Sequence, residues 1–176
     1  MPEVSENFLD KARRLLAEEY LPKIERCMER LNDEQVWWRA SRESNSIGNL
    51  MLHMAGNARQ WILSGVGGAT DERDRQSEFD ERRAIPKTEL LAHLKRVLAD
   101  VDEVLAGLNS SALLETRKIQ GYDVTVLEAV FHVVEHFSMH TGQIILLTKM
   151  LTQGDMRFYD FSGNAPKENW DKKSGV

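Results

Sequence analysis

The sequence holds a single cysteine, Cys27, which excludes an internal disulfide and any zinc site built from several cysteines. It also lacks an apolar run approaching the ~20 residues that a membrane-spanning helix requires. The N-terminus has neither the basic region nor the apolar region of a secretory signal. We therefore expect a cytoplasmic protein that does not enter a membrane.

Basic residues are too few, and too evenly mixed with acidic ones, to form a phosphate-binding face. The chain has 23 lysines and arginines against 28 aspartates and glutamates, which gives a net charge of −5. Nucleic-acid binders normally present a basic surface that neutralises phosphates. We therefore expect no nucleic-acid partner. The length fits one domain, so we assign residues 1–176 to a single helical domain.

What the sequence does contain is helical periodicity in four long segments. Apolar residues recur every three or four positions over about 6–31, 46–64, 87–108 and 126–151. A short helix after Asn32 carries Trp37 and Trp38, and Thr125 with Glu128 forms a capping box for the last long helix. No stretch alternates convincingly at period two. The pattern predicts an all-α four-helix bundle.

The segments between the helices are less regular. Residues 66–85 are charged and aperiodic and are interpreted as a loop, and Gly121-Tyr122-Asp123 is interpreted as a turn. Pro22 interrupts the first helix and predicts a kink. The tail, about residues 153–176, is too aromatic at first to be wholly disordered. We expect part of it to pack on the bundle and its last residues to fray.

Two of the helices carry a polar stripe among apolar neighbours, because residues three or four apart share a helix face. The stripe of the last helix contains Thr125, His132, His136, His140 and Gln143. The stripe of the second helix contains Ser46, Asn49, His53, Asn57 and Gln60. Buried imidazoles without partners cost about 1–3 kcal/mol each, so the sequence must supply compensation.

A metal ion is an efficient partner, because it takes the lone pair of a ring nitrogen directly. A histidine pair at i, i+4 chelates one ion from a single helix, and a third histidine from a facing helix leaves coordination positions open for water or substrate. His53 is the candidate on the second helix. On the last helix, His132 with His136 and His136 with His140 are equally good pairs by spacing. Hydrogen-bonded core histidines are the alternative without a metal.

Other residues give weaker signals. A di-iron centre needs Glu-x-x-His motifs, and no glutamate stands three residues before a histidine. Cys27 lies on a core stripe and is interpreted as a small core residue, and His93 as a surface residue. Glu128, Glu135 and His132 are conceivable acid–base groups, although no spacing selects one of them. The candidates for lining a substrate pocket are Trp37, Trp38 and Trp61.

The residues around the two stripes are similar to a known superfamily. The segment 45–62, which contains His53, resembles the second helix of the DinB-like (damage-inducible) superfamily, and the segment 136–144 resembles its fourth helix. Segments 18–27 and 157–160 look like its branch of small bacterial proteins of unknown function. The resemblance implies a DinB-like four-helix bundle, often a homodimer, with one divalent ion, zinc or nickel, on three histidines.

The same resemblance chooses the ligands, because the family's pair on the fourth helix falls on His136 and His140, with His53 as the third ligand. The catalytic residues stay unknown, and the candidates for supporting the ligands or lining the pocket are His132, Asn57, Gln143 and Asn49. Characterised relatives include enzymes that use low-molecular-weight thiols such as bacillithiol or mycothiol. A metal-dependent thiol S-transferase is thereby implied. The alternatives are a non-catalytic metal-binding or stress-related interaction protein and a metal-dependent hydrolase.

Overall fold

A computed structural model of the protein describes residues 2–170. Its helical elements, in chain order, are α1 (Pro2–Arg14), a π-helical turn (Leu15–Tyr20), α2 (Leu21–Arg30), α3 (Asp33–Trp37), α4 (Ile47–Ala58), a second π-helical turn (Arg59–Val66), α5 (Arg75–Asp80), α6 (Lys87–Ala106), a 3₁₀ turn (Ser110–Leu114) and α7 (Val126–Thr152). Two antiparallel two-stranded ladders accompany them, β1 (Thr116–Ile119) with β2 (Tyr122–Thr125) and β3 (Tyr159–Asp160) with β4 (Lys167–Glu168).

The four long helical segments form the expected all-α bundle. The helix α4 packs against both α6 and α7, and α2 packs against α7. Each segment contributes fully buried side chains to one shared core, for example Ile24, Met54, Leu94 and Phe137. The contact between α4 and α7 brings the two polar stripes together inside the bundle. No helix among residues 2–170 is both long and apolar enough to cross a membrane.

The interruption predicted at Pro22 takes the form of a widened helical turn. The π-helical turn ends at Tyr20, directly before α2, whose second residue is Pro22. Proline has no backbone N–H, so the carbonyl of Glu18 loses the donor that an α-helix would supply from position 22. The indole Nε1 of Trp170 donates to that carbonyl at 2.7 Å. The tail thus compensates a defect in the first helix.

The tail lies against the bundle as far as residue 170. Met156 is fully buried, and the guanidinium of Arg26 donates to the carbonyls of Met156, Arg157 and Asn169. Lys23 lies 4.1 Å from the ring centroid of Trp170. The fraying predicted for the last residues, 172–176, falls outside the described residues.

Two sequence interpretations of the connections are wrong in part. The supposed loop 66–85 contains the helix α5, whose start is capped by the side chain of Asp74. Six residues are too few to show a helical period, so periodicity does not reveal this helix. The turn lies at Gln120 and Gly121, which have φ values of 53° and 86°, whereas Tyr122 belongs to β2. Residues 67–86, between the second π-helical turn and α6, are called the connecting segment below.

Helix starts are predicted more accurately, because capping depends on residues only three positions apart. Thr125 and Glu128 form the expected capping box of α7, and Asn32 caps α3 with Gln35. Ser46 caps α4, the helix that carries His53. Both helices that bear the polar stripes therefore have well-defined starts.

Candidate metal centre

Three histidines converge where α4 faces α7. Nε2 of His136 lies 3.0 Å from Nε2 of His53 and 3.2 Å from Nε2 of His140. The ring centroids of His53 and His140 are 5.2 Å apart, which closes the triangle. The three side chains are buried, with residue exposures of 6%, 8% and 8% for His53, His136 and His140. Among residues 2–170 they form the one group whose side chains are suitably placed to share a metal ion.

The hydrogen bonds on the outer side of two of these rings determine where their protons lie. His53 Nδ1 is 2.8 Å from Oε2 of Glu78, and His140 Nδ1 is 2.8 Å from Oε1 of Gln143. A carboxylate oxygen and an amide oxygen only accept hydrogen bonds, so both Nδ1 atoms must carry the proton. The Nε2 atoms of His53 and His140 therefore direct lone pairs to the centre of the cluster. His136 Nδ1 is buried with no hydrogen-bond partner among residues 2–170.

The electrostatics of the cluster favour the neutral form of His136 and of His140. Burial, followed by the neighbouring His140 and His53, lowers the pKa of His136 to about 2. Burial also lowers the pKa of His140, against the hydrogen bond with Gln143, which raises it. Neutral imidazole is the form that binds metal ions, so neither His136 nor His140 has to release a proton from a charged ring at neutral pH.

Glu78 and Arg73 join the cluster from the connecting segment, and the sequence interpretation missed both. Arg73 donates from Nε to Oε1 of Glu78 at 2.7 Å and from Nη2 to Oε2 at 2.9 Å. Burial acts to raise the pKa of Glu78, but the hydrogen bonds from Arg73 and His53 outweigh it, and the pKa lies below its ordinary value. Glu78 is therefore an ionised carboxylate behind His53. Glu78 lies in a charged stretch without periodicity, so the sequence does not indicate that it contacts His53.

The four predicted supporting residues have different places. Gln143 contacts His140, as described above. Asn57 Nδ2 donates to Nε2 of His132 at 3.1 Å, and the half-buried His132 ring stacks on Trp61 at a centroid distance of 4.0 Å. Asn49 is fully buried but faces the connecting segment, where its Nδ2 donates to the carbonyl of Glu78 at 2.8 Å. His132 thus lies beside the cluster, 5.7 Å from His136 between ring centroids.

The remaining candidates do not belong to the group of three histidines. Glu128 is engaged in the cap of α7, and Glu135 is exposed. Trp37 packs on Gly48 and donates from Nε1 to the carbonyl of Ile85, whereas Trp38 is 39% exposed. His93 is half-buried on α6 rather than on the open surface. Cys27 is fully buried, and burial raises the pKa of its thiol to about 11, which suits a core residue.

The donor set fits a divalent ion of borderline character. Three imidazole nitrogens are the ligands that zinc, nickel and similar ions accept, and at least two of them hold the required tautomer. The helix α4 supplies His53, and α7 supplies His136 and His140. This i, i+4 pair lies on one face of α7. The fold and the cluster together define a helical bundle with a candidate three-histidine metal centre.

Comparison with known proteins places the chain in a family. The chain belongs to the family described as "Protein of unknown function (DUF1572)", whose pattern matches residues 3–164. No curated protein matches the chain.

Two solved structures show that the fold is DinB-like. A DinB-like protein from Bacillus cereus ATCC 10987 superposes with a TM-score of 0.65 at 18% identity, over 83% of this chain and 91% of that one. A conserved protein from Enterococcus faecalis gives a TM-score of 0.62 at 15% identity, over 88% and 98% of the two chains. The similarity to DinB-like proteins that the two histidine segments suggested is thereby confirmed at the level of the fold.

Proposed function

We propose that the protein binds one divalent metal ion, zinc or nickel, through the Nε2 atoms of His53, His136 and His140. The observation that carries the proposal is the convergence of the three Nε2 atoms: that of His136 lies 3.0 Å from that of His53 and 3.2 Å from that of His140. The Nε2 lone pairs of His53 and His140 point toward the centre of the cluster. A proton on Nε2 of His136 can form a linear hydrogen bond to only one of the other two Nε2 atoms. A shared cation gives all three a common partner.

Elemental analysis of the purified protein tests this proposal. We expect about one equivalent of metal in the wild type and loss of that metal in His53→Ala, His136→Ala and His140→Ala. His132→Ala is the matched control, because His132 bonds to Asn57 and lies outside the cluster. Loss of metal in His132→Ala with retention in His140→Ala would overturn the ligand assignment.

For the chemistry, we propose a metal-dependent thiol S-transferase that uses a low-molecular-weight thiol. A metal ion on three imidazoles would lower the pKa of a thiol bound at a remaining coordination position, which yields the reactive thiolate. In the transfer, the thiolate sulfur forms a bond to an electrophilic carbon, the leaving group departs with its electron pair, and the thiol proton passes to solvent. The resemblance to thiol-using relatives supports this class of reaction.

Polar atoms beside the cluster support the presence of a substrate site. Oδ1 of Asn57 and Nε1 of Trp61 are buried with no hydrogen-bond partner among residues 2–170. One is an acceptor and the other a donor, and both residues contact His132. A bound polar molecule would satisfy these groups, whose burial without a partner costs about 1–3 kcal/mol each.

An activity screen separates the transferase from the alternatives. Metal-replete protein is assayed with several thiols and several electrophiles, with His136→Ala as the metal-free control. Conjugate formation that requires the metal supports the transferase. Absence of conjugation across the panel would contradict it, and would favour a non-catalytic metal-binding protein or a hydrolase without affecting the metal assignment.

We also propose a homodimer formed by the outer face of α7. Five large apolar side chains on this helix are at least 37% exposed: Leu127, Phe131, Met139, Leu146 and Met150. Exposed apolar surface of this extent on one helix is typical of an interface. Sedimentation analysis of the wild type and of a Phe131→Glu, Leu146→Glu variant tests the proposal. A dimer that dissociates in the variant is expected, and a monomeric wild type would contradict it.

A further inference from the structure

The ion pair of Glu78 and Arg73 connects the cluster to the connecting segment. Both partners are buried, with side-chain exposures of 9% and 5%. Oε2 of Glu78 accepts from His53 Nδ1 and from Arg73 Nη2, which explains why Nη2 lies only 3.2 Å from Nδ1. Two donors share one acceptor there.

We propose that Glu78, held by Arg73, is a positioning residue of the metal centre that fixes His53 with its proton on Nδ1 and its Nε2 lone pair toward the metal. The inference rests on the proposed metal binding. A carboxylate behind a histidine ligand both sets the tautomer and increases the basicity of the ligating nitrogen. The connecting segment is then part of the metal centre, although it supplies no ligand.

The polar stripe of the second helix shows how the segment is held. Asn49 donates from Nδ2 to the carbonyl of Glu78, and His53 donates to the carboxylate of the same residue. Farther along the helix, Gln60 accepts from Nη1 of Arg73 at 2.9 Å and donates to Asp71 at 2.7 Å. Three residues of the stripe thus bind the connecting segment. Because His53 belongs to this set, metal binding and the docking of the segment stabilise each other.

A glycine makes room for the carboxylate. A Cβ atom at Gly56 would overlap Oε1 of Glu78 and lie 2.8 Å from its Cδ and 3.0 Å from Nε of Arg73. The substitution Gly56→Ala therefore displaces the carboxylate without removing any ionisable group. Gly142 on α7 offers the matched control, because a Cβ there meets no atom within 4 Å. Both substitutions add the same methyl group to a helix.

The first experiment measures zinc affinity by competition with a chromophoric chelator. Glu78→Ala and Gly56→Ala are expected to weaken binding by about 10- to 100-fold, as substitutions of groups that orient metal ligands typically do. Glu78→Gln keeps an acceptor but loses the charge, so its affinity should fall between those of the wild type and Glu78→Ala. Gly142→Ala should bind within about twofold of the wild type. Circular dichroism establishes that each variant is folded.

The second experiment reads the tautomer directly in metal-free protein, by long-range ¹H–¹⁵N correlation spectra of the histidine rings. In the wild type, His53 should show a protonated Nδ1 and an unprotonated Nε2. In Glu78→Ala and Gly56→Ala the ring should become a mixture of tautomers, whereas His132 should not change. A merely structural role of Glu78 would not move this signal.

The outcomes distinguish the two proposals. If the wild type binds zinc, His53→Ala does not, and Glu78→Ala and Gly56→Ala match the wild type, the positioning role is wrong and the metal centre stands. An unchanged His53 tautomer in both variants would likewise overturn the positioning role. If the wild type binds neither zinc nor nickel, the proposed function itself is contradicted, and the positioning role with it.

Discussion

The two sides of the histidine cluster support their imidazoles by different means. On the α4 side, His53 donates to a buried carboxylate that is itself bound by Arg73. On the α7 side, His140 donates to the neutral amide of Gln143, and the outer nitrogen of His136 has no partner among residues 2–170. The α4 side therefore holds its imidazole by charged groups, whereas the α7 side holds its imidazoles mainly by burial.

The difference also concerns distance along the chain. Gln143 is three residues from His140, so one turn of helix supplies the contact. Glu78 is 25 residues from His53 and reaches it only because the connecting segment folds back over α4. The α7 half of the site is thus complete within one helix, whereas the α4 half requires tertiary structure. Because of this asymmetry, substitutions on the two sides should have unequal effects.

The largest effect is expected from Arg73→Ala on the α4 side. Removal of one partner of a buried ion pair leaves the other charge uncompensated, which costs about 3 kcal/mol of unfolding free energy. Urea denaturation of the metal-free protein measures the change. Arg117→Ala, which breaks the more exposed pair with Glu115, is the control and should cost less than about 1 kcal/mol. Equal effects of the two substitutions would show that the buried pair does not support the α4 side.

An intermediate effect is expected when the pH is lowered, because His136 on the α7 side then reduces the stability of the folded protein. The pKa of His136 is lowered to about 2 in the folded protein, whereas an unfolded histidine titrates near pH 6.5. Below about pH 6.5 the unfolded chain binds a proton at this histidine and the folded protein does not. The free energy of unfolding therefore keeps its full value above about pH 6.5 and falls as the pH decreases. The slope is at most about 1.4 kcal/mol per pH unit for each such histidine.

Urea unfolding of metal-free protein at several pH values between 7.5 and 5.5 measures this slope. The substitution His136→Gln removes the titrating imidazole. One fewer proton is then taken up on unfolding, so the unfolding free energy should depend less steeply on pH. If the wild type and His136→Gln have the same pH dependence, burial does not keep His136 neutral, and the description of the α7 side is wrong.

The smallest effect is expected from Gln143→Ala. It removes one neutral hydrogen bond at an exposed residue, worth about 1 kcal/mol, so zinc affinity should fall only about fivefold. Gln143→Glu sharpens the comparison, because it places a carboxylate behind His140 as Glu78 lies behind His53. That variant should bind zinc more tightly than the wild type. A loss in Gln143→Ala as large as in Glu78→Ala would remove the asymmetry.

The parts of the molecule that depend on local spacing could be predicted from the sequence. Helical periodicity identified the four long segments, and the i, i+4 rule placed His136 and His140 on one face. His53 followed from the same rule on a second helix. Spacing did not choose between His132 and His140, and the family resemblance made that choice. In the structure, His140 lies within the cluster and His132 contacts Asn57 beside it.

The parts that depend on long-range contacts could not be predicted. Glu78 and Arg73 lie among many other charged residues of an aperiodic stretch, and nothing local distinguishes them. Asn49 is predicted to support the ligands or line the pocket, but in the structure it binds the connecting segment, as does Gln60. The β1–β2 ladder was missed because four-residue strands are too short to show a convincing alternation.

We propose that three imidazole nitrogens from two helices share one metal ion. Anomalous diffraction at the zinc absorption edge, from crystals of protein loaded with one equivalent of zinc, tests it most directly. We predict one strong peak about 2.0–2.1 Å from the Nε2 atoms of His53, His136 and His140, with Glu78 on the far side of the His53 ring. A peak on other residues, or no peak at the cluster, would contradict the account.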